Sequence, residues 1–146
     1  MAPTAAQQFG AAWESPSFYV GEIEANADYS GISTNPSKQY YGVDVIAATG
    51  AGIAGPAAIS LPASSGQAVI GVLMNNPQLA EAAQVMITGV SKVVLGASVS
   101  IGAILMVNAS GQFIPATSGN FGVAKAFQAG ASGNIIAALL QSYGKQ

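Results

Sequence analysis

The chain has 146 residues, of which 51% are hydrophobic and only 7% charged, with a formal net charge of −2. Soluble domains ordinarily carry about 25% charged residues, so much of this surface is expected to lie against protein, in an oligomer, an assembly or both. With no His, Cys or Arg and only four lysines, the chain lacks the parts for Ser-His-Asp or Cys-His nucleophiles, zinc or haem sites, and a basic patch that neutralises phosphates. The expectation is a non-enzyme with no catalytic, cofactor-binding or metal-binding residues, no cofactor, no nucleic-acid partner and no small-molecule substrate.

The first forty residues have their own chemistry. Seven of the eleven aromatic residues fall by position 41, namely Phe9, Trp13, Phe18, Tyr19, Tyr29, Tyr40 and Tyr41. Six of the ten charges fall by position 44. No helical or alternating period persists, and Pro3, Pro16 and Pro36 punctuate the stretch. It reads as an extended N-terminal arm, residues 1–40, whose aromatics need a partner surface. The competing reading is a terminus that folds back onto its own domain. The opening residues carry no Lys or Arg and no compact apolar run, so no secretory leader is predicted and synthesis in a host cytoplasm is expected.

From Tyr41 the texture changes to short Val- and Ile-rich runs between small-residue turns. Strands are predicted at 42–47, 68–74, 83–90, 92–95, 103–107, 112–115, 121–127 and 134–140. Residues 50–66 read as a long loop carrying one short strand, and a short helix is expected near 77–83 or 97–102, where Ala is frequent. Asn108-Ala109-Ser110-Gly111 and Ala129-Gly130-Ala131-Ser132-Gly133 supply turns. Strands at roughly ten-residue spacing argue for a mainly β chain, with a small barrel or sandwich over residues 41–146. The longest apolar run, 93–107, is interrupted by Gly96, Ser98, Ser100 and Gly102 and falls short of the roughly twenty residues of a membrane span. It reads as buried strands with a turn between them, and no membrane partner is expected.

Motifs with chemical potential lack their context. Gly50-Ala51-Gly52-Ile53-Ala54-Gly55 fits the dinucleotide fingerprint, but Pro62 would break the helix that must follow, and no acidic residue stands about twenty positions on. Glu22 and Glu24 are two apart, with Asp28 the sole nearby addition, too few oxygens for a cation. Ser142 and Lys145 match a serine-lysine spacing at what reads as a frayed C-terminus, without companion motifs.

One resemblance is more specific. Gly71-Val72-Leu73-Met74-Asn75-Asn76-Pro77, then Ala82-Ala83-Gln84-Val85-Met86-Ile87-Thr88-Gly89-Val90, Lys92-Val93-Val94-Leu95-Gly96 and the closing Gly133-Asn134-Ile135-Ile136-Ala137-Ala138-Leu139-Leu140 together resemble the capsid cement, or head decoration, proteins of tailed bacteriophages. The similarity covers roughly residues 57–141. It departs from the family where Leu79-Ala80-Glu81 replaces a Gly-Glu pair. The resemblance implies a β-rich domain on the outer surface of the virion capsid, binding the major capsid protein as a homotrimer at local three-fold positions and stabilising the shell. Its N-terminal arm would lie across that shell, which makes Phe9, Trp13, Phe18, Tyr19 and Tyr29 the candidate capsid-interface residues. The rival reading is another structural subunit, such as a tail tube, fibre or surface layer.

Overall fold

The computed structural model describes residues 17–32, 36–47 and 57–146. Short runs of branched and aromatic side chains bounded by Gly, Asn, Ser and Pro give ten strands and, among the described residues, no helix. Strands β1 (Ser17–Ala25), β2 (Gly42–Ala47), β3 (Ala57–Ser60), β4 (Gly71–Leu73) and β5 (Ala82–Met86) close a barrel in the order β1-β3-β2-β4-β5. Strands β6 (Gly89–Val94), β7 (Ile104–Val107), β8 (Phe113–Pro115), β9 (Phe121–Ala126) and β10 (Ile135–Lys145) form a second sheet, ordered β6-β10-β9-β7-β8. A parallel bridge from Leu95 to Phe113 brings the chain after β6 against β8, so the outer strands of this sheet curl towards each other.

Closure of the barrel falls to β1. It runs parallel to β3, with Ile23, Glu24 and Ala25 opposite Ala57, Ala58 and Ile59. On its other edge it runs antiparallel to β5, with Ser17 opposite Met86 and Glu24 opposite Ala82. A register break between Tyr19 and Glu24 bends the strand, the usual effect of a bulge, and lets one strand serve two edges. Its end then packs inward: Ala25 is fully buried beside Tyr29, Val43, Ile59 and Leu73.

The two sheets share a core. Val72 and Met86, from the barrel, pack in one cluster with Val93, Leu95, Leu105, Val107 and Phe113 from the second sheet. Backbone bonds stitch the seam: Gly42 N–H donates to Gly111 O (2.7 Å), Gly66 N–H to Val107 O (2.8 Å) and Val94 N–H to Tyr40 O (3.1 Å). The approach at Gly111 requires glycine twice over. Its φ is +81°, and a Cβ there would stand 2.7 Å from Gly42 O. Tyr40 adopts φ 68° despite its side chain, a conformation held by bonds to both sheets, with Leu73 O accepting from its N–H. The Lys92 ammonium lies 5.7 Å from the centre of the Tyr40 ring.

Most predicted strands are present, and the differences have identifiable causes. Residues 83–90 were expected to form one strand, but the chain leaves the barrel after Met86 and enters the second sheet at Gly89, whose φ of +99° re-aims it. Neither expected helix forms. Around 77–83 the chain turns, with Ala80 at φ 62° and Glu81 N–H bonded to Gln78 O, before it enters β5. Around 97–102 Val99 bridges Gly130, and Gly102 takes positive φ. The C-terminus is paired rather than frayed, since Gly144 and Lys145 stand opposite Gly122 and Phe121 on β9. The run 93–107 does bury two strand segments with a turn between them. Strand β1, Ser17–Ala25, lies inside the stretch 1–40 expected to be an arm and is paired into the barrel.

Two stability predictions follow from closure and close packing. Deleting residues 1–38 uncovers the edges of β3 and β5 and removes Ala25 and Tyr29 from the core, so the truncated chain is expected to lose its cooperative thermal transition. A sharp, near-native melt of that variant by circular dichroism would overturn this. At Gly71 a Cβ would meet Met86 O at 2.2 Å. Gly71→Ala is expected to cost about 2–3 kcal/mol, a fall in Tm of roughly 5–10 °C for a chain of this size.

Candidate interaction surface

The second sheet shows which of its faces is left over. Along β9, Gly122, Ala124 and Ala126 point inward and are buried, while Phe121, Lys125 and Phe127, which follows the strand, are exposed. Along β10, Ile136, Ala138 and Leu140 are buried, and Ile135 is exposed. This period of two is the signature of a sheet with one packed face. The outward face is not the polar one that solvent would favour: Phe121 is 40%, Phe127 44% and Ile135 54% exposed, with Ile101 at 71%. Backbone bonds from Gly102 N–H to Ala126 O and from Phe127 N–H to Ala137 O bring Ile101, Phe127 and Ile135 towards one end of the sheet. Lys92 and Lys125 stand on the same sheet, opposite Ala137 and Leu139 of β10.

Charge divides between the two halves. Glu24, Asp28, Asp44 and Glu81 lie on the barrel strands and their loops with Lys38, whereas Lys92, Lys125 and Lys145 lie on the second sheet, and no Asp or Glu follows Glu81. An apolar sheet face dotted with lysines suits a protein surface that is itself apolar and carries carboxylates. It offers no reactive constellation. Among the described residues there is no group of three or more His, Cys, Asp or Glu side chains that could hold a metal, and every buried side-chain polar atom has a hydrogen-bond partner. No described helix is long and apolar enough to cross a membrane.

Phe9 and Trp13 lie outside the described residues, as does the glycine run 50–55. Phe18 and Tyr19 are on β1, with backbones opposite Val85 and Gln84 of β5. Tyr29 is a correction: it is 5% exposed and packs in the barrel core, so it presents no surface to a partner. Its loop is drawn in by the bond from Tyr29 N–H to Pro77 O, and its hydroxyl donates to Asn26 Oδ1. The exposed apolar group of Ile101, Phe127 and Ile135 was missed, although the alternation along 121–127 carried part of the signal.

Comparison with known proteins finds no family model that matches the chain and no curated protein that matches it. Among solved structures, the fold is similar to that of the head fiber gp8.5 N base in bacteriophage phi29. The TM-score is 0.61, the sequence identity 16%, and the match covers 90% of this chain and 97% of that one. At this identity the likeness is one of fold.

Burial of Tyr29 has a consequence at high pH. Desolvation raises the phenol above its ordinary value of 10.0, and a hydrogen bond with the Leu61 backbone partly opposes the rise. The folded chain therefore holds this proton more tightly than the unfolded chain. Its contribution is complete below pH 10.0 and is lost as pH rises through the higher folded value. Tyr29→Phe is expected to cost about 1 kcal/mol at neutral pH for the lost hydrogen bond and to flatten the alkaline decline. Urea titrations of both proteins across neutral and alkaline pH check this, and parallel declines would refute it.

Proposed function

We propose that this chain is a structural protein of a bacteriophage head, which sits on the outer surface of the capsid and stabilises it. The observation that carries the reading is the fold shared with a phage head fiber base across nearly the whole of both chains. The composition supports it independently, because a chain with 7% charged residues and an exposed apolar sheet face is suited to permanent burial in an assembly. In this reading the mechanism is mechanical. The face bearing Ile101, Phe127 and Ile135 covers apolar surface on neighbouring copies of the major capsid protein and resists their separation, at roughly 25 cal/mol per Å² before association costs. Trimers at local three-fold positions would present that face to several shell subunits at once.

The fold neighbour's own role favours a second reading, a fibre base that docks on the head without reinforcing it. Shell stability separates the two. Mixing the pure protein with undecorated capsids and sedimenting them is expected to give co-sedimentation and a higher temperature of shell disruption. Binding with unchanged shell stability supports the fibre base instead, and no co-sedimentation refutes both. Replacing exposed Phe127 with Glu and Ile135 with Lys is expected to weaken binding tenfold or more, about 1.4 kcal/mol, while leaving the melt of the free protein near that of the unmodified chain.

A further inference from the structure

A second apolar feature lies towards the other end of β10 from Ile135. Between the barrel and the second sheet is a cavity of about 200 Å³, lined by Val69, Ile70, Ile87, Val123 and Leu140 among others. It falls short of the roughly 300–1,000 Å³ clefts that take small-molecule ligands, but apolar cavities of about 150 Å³ hold a benzene ring. One aliphatic side chain fits. No lining residue is charged, and Ile87 on its wall is 42% exposed. Lys145 stands exposed on the same strand, three residues beyond the lining residue Ser142.

The chain itself carries a group that matches this opening. β4 and β5 pair as a hairpin, with Leu73 opposite Val85. Met74 N–H to Gln84 O (2.8 Å) extends the pairing, and Asn75 continues it by accepting from Gln84 N–H and donating to Ala82 O. The tip, residues 76–81, is firmly built. Glu81 N–H donates to Gln78 O at 3.1 Å, and Gln78 N–H donates to the Glu81 carboxylate at 2.8 Å. Tyr29 N–H reaches Pro77 O and Ala80 N–H reaches Ala25 O, both at 2.9 Å. These bonds hold Leu79 50% exposed, with the exposed Glu81 two residues on. An apolar side chain held in solvent by an ordered turn loses little freedom on docking. It is a preformed knob beside a carboxylate, and the cavity is an apolar socket beside a lysine. Knob and socket of one chain cannot meet, because they lie at opposite ends of β5, whose five residues span about 17 Å at about 3.4 Å each.

We infer that the cavity is the seat of Leu79 from a second copy of this chain, with Glu81 of that copy beside Lys145. The contact joins different surfaces on the two copies, so it repeats from copy to copy and either closes into a ring or runs on as a filament. It does not rest on the capsid reading, and it leaves Ile101, Phe127 and Ile135 free for another partner.

The pure protein carries the test. In sedimentation equilibrium, the weight-average mass of the full chain is expected to rise with concentration. Leu79→Ser removes the knob and Ile87→Asp the socket, and each variant is expected to stay monomeric with a native melt by circular dichroism. Ala68→Glu, at an exposed lining position, is a second socket variant that serves where Ile87→Asp disturbs the melt. Mixing a knob variant with a socket variant is the decisive step. One intact knob then meets one intact socket, and a 1:1 dimer that grows no further is expected. Lys145→Glu is expected to weaken association of the otherwise unmodified chain several-fold, and unchanged association overturns the pairing with Glu81. A chain that is monomeric at every concentration overturns the proposal, as does association that survives either the knob or the socket substitution. Variants that stay monomeric when mixed also overturn it, because they assign the association to a contact between identical surfaces.

Discussion

A strand with two open edges on either side of it is the constraint on which this molecule rests. β3 and β5 are brought together at the barrel's last gap, and each presents a row of backbone donors and acceptors that need pairing. β1 fills both rows, parallel on one side and antiparallel on the other, and the register break after Tyr19 gives it the bend to do so. Once closed, the barrel can bury Ala25 and Tyr29 beside Val43 and Leu73. It also fixes β4 and β5, whose Val72 and Met86 supply part of the core beneath the second sheet.

Dependence of one half on the other runs through backbone contacts too tight for ordinary side chains. Gly42 and Gly111 meet at 2.7 Å between N and O, and Gly66 N–H reaches Val107 O at 2.8 Å. These approaches turn two sheets into a single packed body. They leave the outer face of the second sheet with no further element to cover it, which is why Phe127 and Ile135 remain in solvent. A face of this kind destabilises an isolated solute but favours a subunit of an assembly, and the scarcity of charge across the whole chain points the same way.

The separation of charge fits that picture. Carboxylates end at Glu81, where the barrel is almost complete, and lysines dominate the sheet that follows. The apolar face therefore lies in the positive half of the molecule. In the proposed role, long-range attraction to an acidic surface would orient the chain before short-range apolar contact forms.

What the sequence determined by itself is local. The β class, the strand at 42–47, the strand expected at 121–127 and found at Phe121–Ala126, and the Asn108 turn, whose Oδ1 accepts from Ser110 N–H and Gln112 N–H, were legible because propensity, alternation and turn chemistry act over a few residues. The absence of His and Cys likewise bounds the chemistry without a structure. Tertiary structure decided the rest. β1 went unread because its apolar positions are interrupted by Gly21, Glu22 and Glu24, and its pairing with both β3 and β5 is a long-range fact. The break at Ile87 and Thr88 was hidden inside the stretch 83–90 expected as one strand, where the positive φ of Gly89 marks the passage between two sheets. Tyr29 looked like an interface aromatic because a sequence shows that an aromatic needs burial, not which surface provides it. That choice belongs to the strands packed around it, and they come from distant parts of the chain.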